Sequence, residues 1–94
     1  MASLRKQDNV LFLEGVLDFY TVVPLLPQLQ KEVKEATAPV VDLEKVSYSN
    51  SAGVALLLEV LRNTSHGNTS FRHIPTDMMR VIRMCGLQDI IRQE

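Results

Sequence analysis

Residues 40–61 read VVDLEKVSYSNSAGVALLLEVL, and this stretch decides how the chain folds. Val40 and Val41 begin a short buried strand that ends near Leu43. Residues 44–50 follow as a polar loop centred on Tyr48, with room for a little more strand. Residues 51–62 then read as a helix whose first turn carries Asn50, Ser51, Ala52 and Gly53. Backbone N–H groups at such a terminus have no partners within the helix, and the helix dipole favours negative charge there. A hydroxyl in that turn can carry a phosphate stabilised by both effects. Ala52 and Gly53 are small, which predicts a flat surface that another protein can approach. The plainer reading is that Ser49, Asn50 and Ser51 cap the helix.

Upstream, residues 10–17, VLFLEGVL, are β-prone and mostly apolar. Gly15 in their midst predicts a bulge or a close backbone approach. Asp18, Phe19 and Tyr20 form a loop, and Thr21 is positioned to cap the next element. Between residues 22 and 36 the pattern is helical: Val22, Leu25, Leu26, Leu29 and Val33 recur at three-and-four spacing, with Lys31, Glu32, Lys34 and Glu35 opposite. Pro24 suits a first turn, whereas Pro27 predicts a late start or a kink. Residues 37–39, TAP, break the helix.

Downstream, residues 63–68, NTSHGN, read as a polar turn. Residues 70–74 form a short strand, and Pro75, Thr76 and Asp77 start a third helix running to Cys85. Gly86 suits the position just past its end, and Leu87, Ile90 and Ile91 are expected to fold back on the core. Strand–helix alternation of this kind implies an α/β domain with a short, largely parallel sheet covered by helices, mostly on one face. Residues 1–94 suit one domain.

Composition narrows the function. Ten basic and 11 acidic residues give a net charge of −1. That balance lacks the clustered positive charge of a nucleic-acid footprint or of an anionic membrane surface. The N-terminal stretch has no apolar core of signal-peptide length, and no apolar run is long enough to span a bilayer. These features predict a cytoplasmic protein without direct membrane insertion. Cys85 stands alone in VIRMCGL, which predicts a buried, inert thiol.

Enzyme signatures are absent: the sequence has no G-x-S-x-G elbow, P-loop or G-x-G-x-x-G. His66 and His73 lack neighbours at metal-ligand spacing, so neither a metal nor another cofactor is expected. Asp18 and Asp42 are expected at strand ends on one edge of the sheet, where ligands bind in parallel sheets. The pair alone is weak ground for catalysis.

Together these motifs resemble the STAS family, the sulfate-transporter and anti-sigma-factor-antagonist domain. Val41-Asp42-Leu43 followed by Asn50-Ser51-Ala52-Gly53 is similar to the family's strand–loop–helix signature. Leu13-Glu14-Gly15-Val16-Leu17-Asp18 is similar to its Gly-x-Leu-Asp strand end, and Met84-Cys85-Gly86-Leu87 resembles its closing turn. The resemblance implies that Ser51 occupies the place of the serine phosphorylated in anti-sigma-factor antagonists. Asn50 departs from the usual aspartate, which weakens the case for a kinase-controlled switch.

The run from Leu17 to Leu26, LDFYTVVPLL, is also similar to the stand-alone STAS subunit of Mla-type phospholipid ABC transporters. So are Val46-Ser47 and Ala55-Leu56-Leu57-Leu58. This narrower resemblance implies a non-enzymatic subunit, peripheral to the inner membrane, that binds the transporter's ATPase and supports outer-membrane lipid asymmetry. The alternative it leaves open is an antagonist that binds a kinase-like anti-sigma factor. On either reading Phe19, Tyr20, Tyr48, Asn50, Ser51, Ala52 and Gly53 are the expected partner-binding residues, with Asp18 as a nearby acid.

A protein-binding module of this kind is expected to fold cooperatively without metal or nucleotide. Its thermal midpoint should not move with a chelator or with ATP. A saturable rise with ATP would show binding to the folded state and redirect the reading to a ligand-binding protein.

Overall fold

The computed structural model describes residues 1–62 and 69–94. The turn expected at residues 63–68, with His66, lies outside the described residues. Among the described residues, four strands and three helices follow in the order β1 (Ala2–Gln7), β2 (Val10–Leu17), α1 (Val22–Glu35), β3 (Val40–Ser49), α2 (Ser51–Arg62), β4 (Ser70–Arg72) and α3 (Thr76–Met84). The strands form one sheet in sequence order: β1 runs antiparallel to β2, while β2–β3 and β3–β4 are parallel. The α/β class and the largely parallel sheet are as expected. No described helix is long and apolar enough to cross a membrane.

Strand β1 was not anticipated from the sequence. Leu4 is its one large apolar residue, so no alternating signal marks it. A tight Asp8–Asn9 turn, with Asp8 at φ 55°, folds it back on β2. Its course explains Gly15, which has φ +98°. A Cβ there would lie 2.1 Å from the Met1 carbonyl oxygen.

Strand β3 is longer than its apolar half. It continues through the polar residues to Ser49, with two irregularities in its pairing to β2, one beyond Phe12 and one beyond Gly15. At the first, Asp42 Oδ1 accepts the Glu44 N–H at 2.8 Å. Tyr48 therefore lies on a strand, opposite Val16, and not in a loop.

One face of the sheet carries the core. Leu11, Leu13 and Leu17 of β2, Val41 and Leu43 of β3, and Phe71 of β4 are buried against Leu25, Leu29 and Val33 of α1, Leu56, Leu57 and Val60 of α2, and Met78 and Ile82 of α3. Burying side chains of this size contributes roughly 1.5–3 kcal/mol each. Helix α1 runs from Val22 through Pro27 without a late start. Val23 and Pro27 are both exposed, so water can meet the Val23 carbonyl that Pro27 cannot bond.

Helix α3 runs from Thr76 to Met84, and Gly86 beyond its Cys85 cap turns the chain with a φ of +69°. The Leu87 N–H then bonds the Ile82 carbonyl at 2.9 Å. Of the three apolar residues beyond, Ile91 is buried, Leu87 half-buried and Ile90 exposed. Cys85 is exposed, contrary to expectation, because it falls on the solvent side of the last helical turn.

On the opposite face, Arg5, Phe12, Asp42 and Arg72 line up across the four strands. The Arg5 guanidinium stacks on the Phe12 ring, 4.4 Å from its centroid. Asp42 is buried. Its Oδ2 accepts the Arg72 Nε–H at 2.6 Å and lies 3.2 Å from His73 Nδ1. Burial alone would push the Asp42 carboxyl up. Arg72, the Glu44 N–H and His73 outweigh it and hold the group below its ordinary value of 3.8. Asp42 therefore sits toward the beginning of β3, at the opposite end of the sheet from Asp18, and the expected pair of acids on one edge does not exist.

A carboxyl whose folded value is lowered adds stability above its unfolded value, and that stability is lost as pH falls through the folded value. The urea midpoint of the native chain is therefore expected to fall below about pH 3.8. Asp42→Asn should lose about 1–3 kcal/mol at neutral pH and show a shallower acid decline. Parallel profiles for the two proteins would show that this carboxylate does not stabilise the fold.

Candidate functional site

Parallel pairing brings β2 and β3 to a common end, with Leu17 opposite Ser49. The Asn50 N–H donates to the Leu17 carbonyl at 3.2 Å and ties the two exits together. Helices α1 and α2 both start from this end, where open parallel sheets place their binding crevices.

Each exit has its own cap. The Asp18 carboxylate accepts the N–H groups of Tyr20 and Thr21, both at 2.9 Å. These bonds, that of Thr21 foremost, hold Asp18 below its ordinary carboxylate value. Thr21 does not cap α1 as expected; its Oγ1 instead accepts the Asp18 N–H at 2.8 Å. At α2 the cap is Asn50, whose Oδ1 accepts the Ala52 N–H at 2.8 Å. An asparagine supplies the same acceptor as an aspartate, without the charge. Ser49 Oγ donates to the Asn50 carbonyl at 3.0 Å. Ser51, the first residue of α2, is exposed and its hydroxyl has no hydrogen-bond partner among the described residues. Of the three polar residues read as caps, one caps, one braces it, and Ser51 remains accessible.

Ala52 and Gly53 do not present a flat outer surface. Both are buried. Gly53 packs so tightly that an added Cβ would sit 2.0 Å from Ser49 Oγ and 3.3 Å from Met78 Cε. The glycine sets the approach of α2 to the end of β3 and to α3.

The expected aromatic residues are exposed: Phe19 at 64 %, Tyr20 at 88 % and Tyr48 at 58 %. Phe19 lines an apolar groove of about 130 Å³ between α1 and α2, with Val22, Val23, Leu26, Ala55 and Glu59 among its walls. These α1 and α2 residues escaped the sequence reading. Their spacing marks Val22 and Leu26 as core stripe, and the adjacent Val23, apolar yet exposed, is the sequence signal for the groove.

Elsewhere, oxygen and nitrogen atoms of Asp42, Glu44 and His73 converge within 4.8 Å of one another. His73 is exposed and occupies a left-handed bend at φ 56°. Asp42 in this cluster is already held by Arg72 and by the Glu44 N–H, so the carboxylate acts as a structural anchor.

A family model described as "Mlab, STAS domain" matches residues 1–92. The chain belongs to the STAS domain family. No curated protein matches the sequence significantly. Among solved structures, a chain of the Acinetobacter MlaFEDB complex in its ATP-bound Vtrans2 conformation is 24 % identical with TM-score 0.83, over 93 % of this chain and 95 % of that one. An anti-sigma factor antagonist from Mycobacterium paratuberculosis is 18 % identical with TM-score 0.79, over 99 % and 83 %. The Bacillus cell fate determinant SpoIIAA in its phosphorylated form is 19 % identical with TM-score 0.68, over 100 % and 91 %. At these identities the likeness shows the STAS fold, which transporter and antagonist proteins share.

In this STAS domain Gly53 is a packing requirement that can be tested separately from any partner. Gly53→Ala is expected to cost about 1–3 kcal/mol through overpacking. Adding Ser49→Ala, which removes the nearest atom, should restore part of that loss in a double-mutant cycle. Full additivity of the two changes would show that the Ser49 hydroxyl is not what excludes a side chain.

Proposed function

We propose that this STAS domain is a non-enzymatic subunit that binds and supports the ATPase of a phospholipid-transporting ABC system maintaining outer-membrane lipid asymmetry. It works on the cytoplasmic side, held at the inner membrane by that partner. The observation that carries the reading is the pairing of an accessible Ser51 with the apolar groove beside it. Apolar area and aromatic side chains at one end of a domain are the materials of a protein-binding hot spot. The carboxylate nearby is committed to the fold: Asp18 accepts the Tyr20 and Thr21 N–H groups at the start of α1. The family description and the fold likeness to the MlaFEDB chain support the same choice.

In this reading Phe19, Tyr20, Tyr48, Asn50 and Ser51 meet the ATPase, together with Val23 and Leu26. Ala52 and Gly53 act from behind by fixing where α2 begins. A second reading rests on the same hydroxyl. A phosphate on Ser51 would gain from the α2 N-terminus, as an anti-sigma-factor antagonist released on phosphorylation would require. Asn50 supplies the cap without the family's usual charge, which favours the first reading.

Co-purification with a candidate ABC ATPase from the same organism tests the proposal. Val23→Arg and Ser51→Glu are expected to reduce recovery at least tenfold, the effect of losing about 1.4 kcal/mol. Ser51→Ala should keep most of it, and all variants should keep the native circular dichroism. Undiminished recovery with Val23→Arg and Ser51→Glu would remove this surface from the interface. A dominant native species about 80 Da heavier at Ser51, the mass of one added phosphoryl group, would support the antagonist reading.

A further inference from the structure

The two edges of the sheet are treated differently. Strand β4 has three residues, and the Phe71 N–H and carbonyl are taken by the chain's own tail. The Phe71 N–H donates to the Arg92 carbonyl at 2.9 Å, and the Glu94 N–H donates to the Phe71 carbonyl at 2.6 Å. Arg72 and Glu94 add an ion pair at 3.7 Å. Nothing comparable covers β1 among the described residues.

The pairing of β1 with β2 fixes which groups face outward. The Val16 N–H donates to the Met1 carbonyl at 3.0 Å, so Met1 and Val16 are a hydrogen-bonded pair. In an antiparallel ladder such pairs alternate with non-bonded ones. Ser3, Arg5 and Gln7 therefore bond to β2, while the N–H and carbonyl groups of Ala2, Leu4 and Lys6 point away from the sheet. Edge strands are commonly protected by charge. Here both charges of β1 are drawn inward. Arg5 stacks on Phe12 and pairs with Glu14 at 3.3 Å. Lys6 pairs with Glu32 of α1, also at 3.3 Å.

We propose that the outer edge of β1 is a self-association surface, on which a second copy of this chain pairs antiparallel about a two-fold axis at Leu4. This register places Leu4 opposite Leu4 of the second copy, Ala2 opposite Lys6, and Ser3 opposite Arg5. All outward groups are satisfied: three residues with two groups each make six hydrogen bonds. Shifting the axis to Ser3 or Arg5 leaves outward groups unpaired, and the Arg5 register sets two guanidiniums against each other. The Leu4 register has no like-charge pair, and it covers a half-buried leucine that already packs on the core. The two sheets then join into one of eight strands with all helices on one side. The surface lies on β1, away from the groove of the proposed ATPase contact.

Sedimentation equilibrium of the full chain tests this from roughly 1 μM to 1 mM, the range expected for a small interface. The apparent mass is expected to rise reversibly from 10.6 kDa toward twice that value. Ser3 is exposed and lies opposite Glu14 of β2, so Ser3→Glu and Ser3→Lys are compared only once both show the native circular dichroism and thermal midpoint. Ser3→Glu places a carboxylate opposite Arg5 twice per dimer and should lower Kd about 2- to 30-fold; Ser3→Lys should raise it by a similar factor. Leu4→Pro removes an outward N–H, which a monomeric edge tolerates, and should abolish the dimer. A mass of 10.6 kDa throughout, Ser3→Glu included, would overturn the proposal. So would a dimer whose Kd is indifferent to both Ser3 variants.

Discussion

The parallel pairing of β2 with β3 is the constraint on which the rest of the molecule depends. Both strands must finish together, at Leu17 and Ser49, for their two following helices to start side by side. The Asn50–Leu17 backbone bond fixes that finish. The separate caps, Asp18 for α1 and Asn50 for α2, then set each helix on its course. The groove between α1 and α2, and the exposure of Ser51 next to its Ala52 wall, follow from this shared origin. Gly53 sets the remaining spacing, because no side chain fits between α2 and Ser49.

The uncovered face of the sheet has a different logic. It holds a buried carboxylate, Asp42, which a small domain keeps only if it is fully paired. Arg72, His73 and the Glu44 N–H meet that need, and Phe12 lies between the Arg5 and Arg72 guanidiniums. The Asp-Leu that closes the apolar half of β3 is thus split by function. Leu43 goes into the core beneath the helices, and Asp42 organises the opposite face. Removing Arg72 would leave the Asp42 carboxylate without its main countercharge in a place that water reaches poorly.

How far the sequence disclosed this depended on whether burial followed a period. Helices α1 and α2 were readable because Leu25, Leu29 and Val33, and Leu56, Leu57 and Val60, repeat at helical spacing. The second half of β3 was not, because its residues face solvent and are held in the sheet by backbone pairing to β2. Strand β1 was silent for the same reason, with only Leu4 to mark it. Asn50 and Ser51 were legible as a helix start, but the roles of Ser49, Asn50 and Ser51 could be separated only with coordinates. Cys85 was misread because an apolar neighbourhood in sequence became the exposed last turn of a short helix.

The Asp8–Asn9 turn has a consequence for the order of assembly. It joins β1 and β2 through two residues, so that pair can close locally, and hairpins form in roughly 1–10 μs. Every other strand contact requires a crossover through a helix, whose chain closure is slower. The hairpin can therefore act as a template, presenting the β2 edge to β3 before any helix has docked. Gly15, which admits the Met1 carbonyl at close range, would then matter to the speed of folding as well as to the depth of the native well.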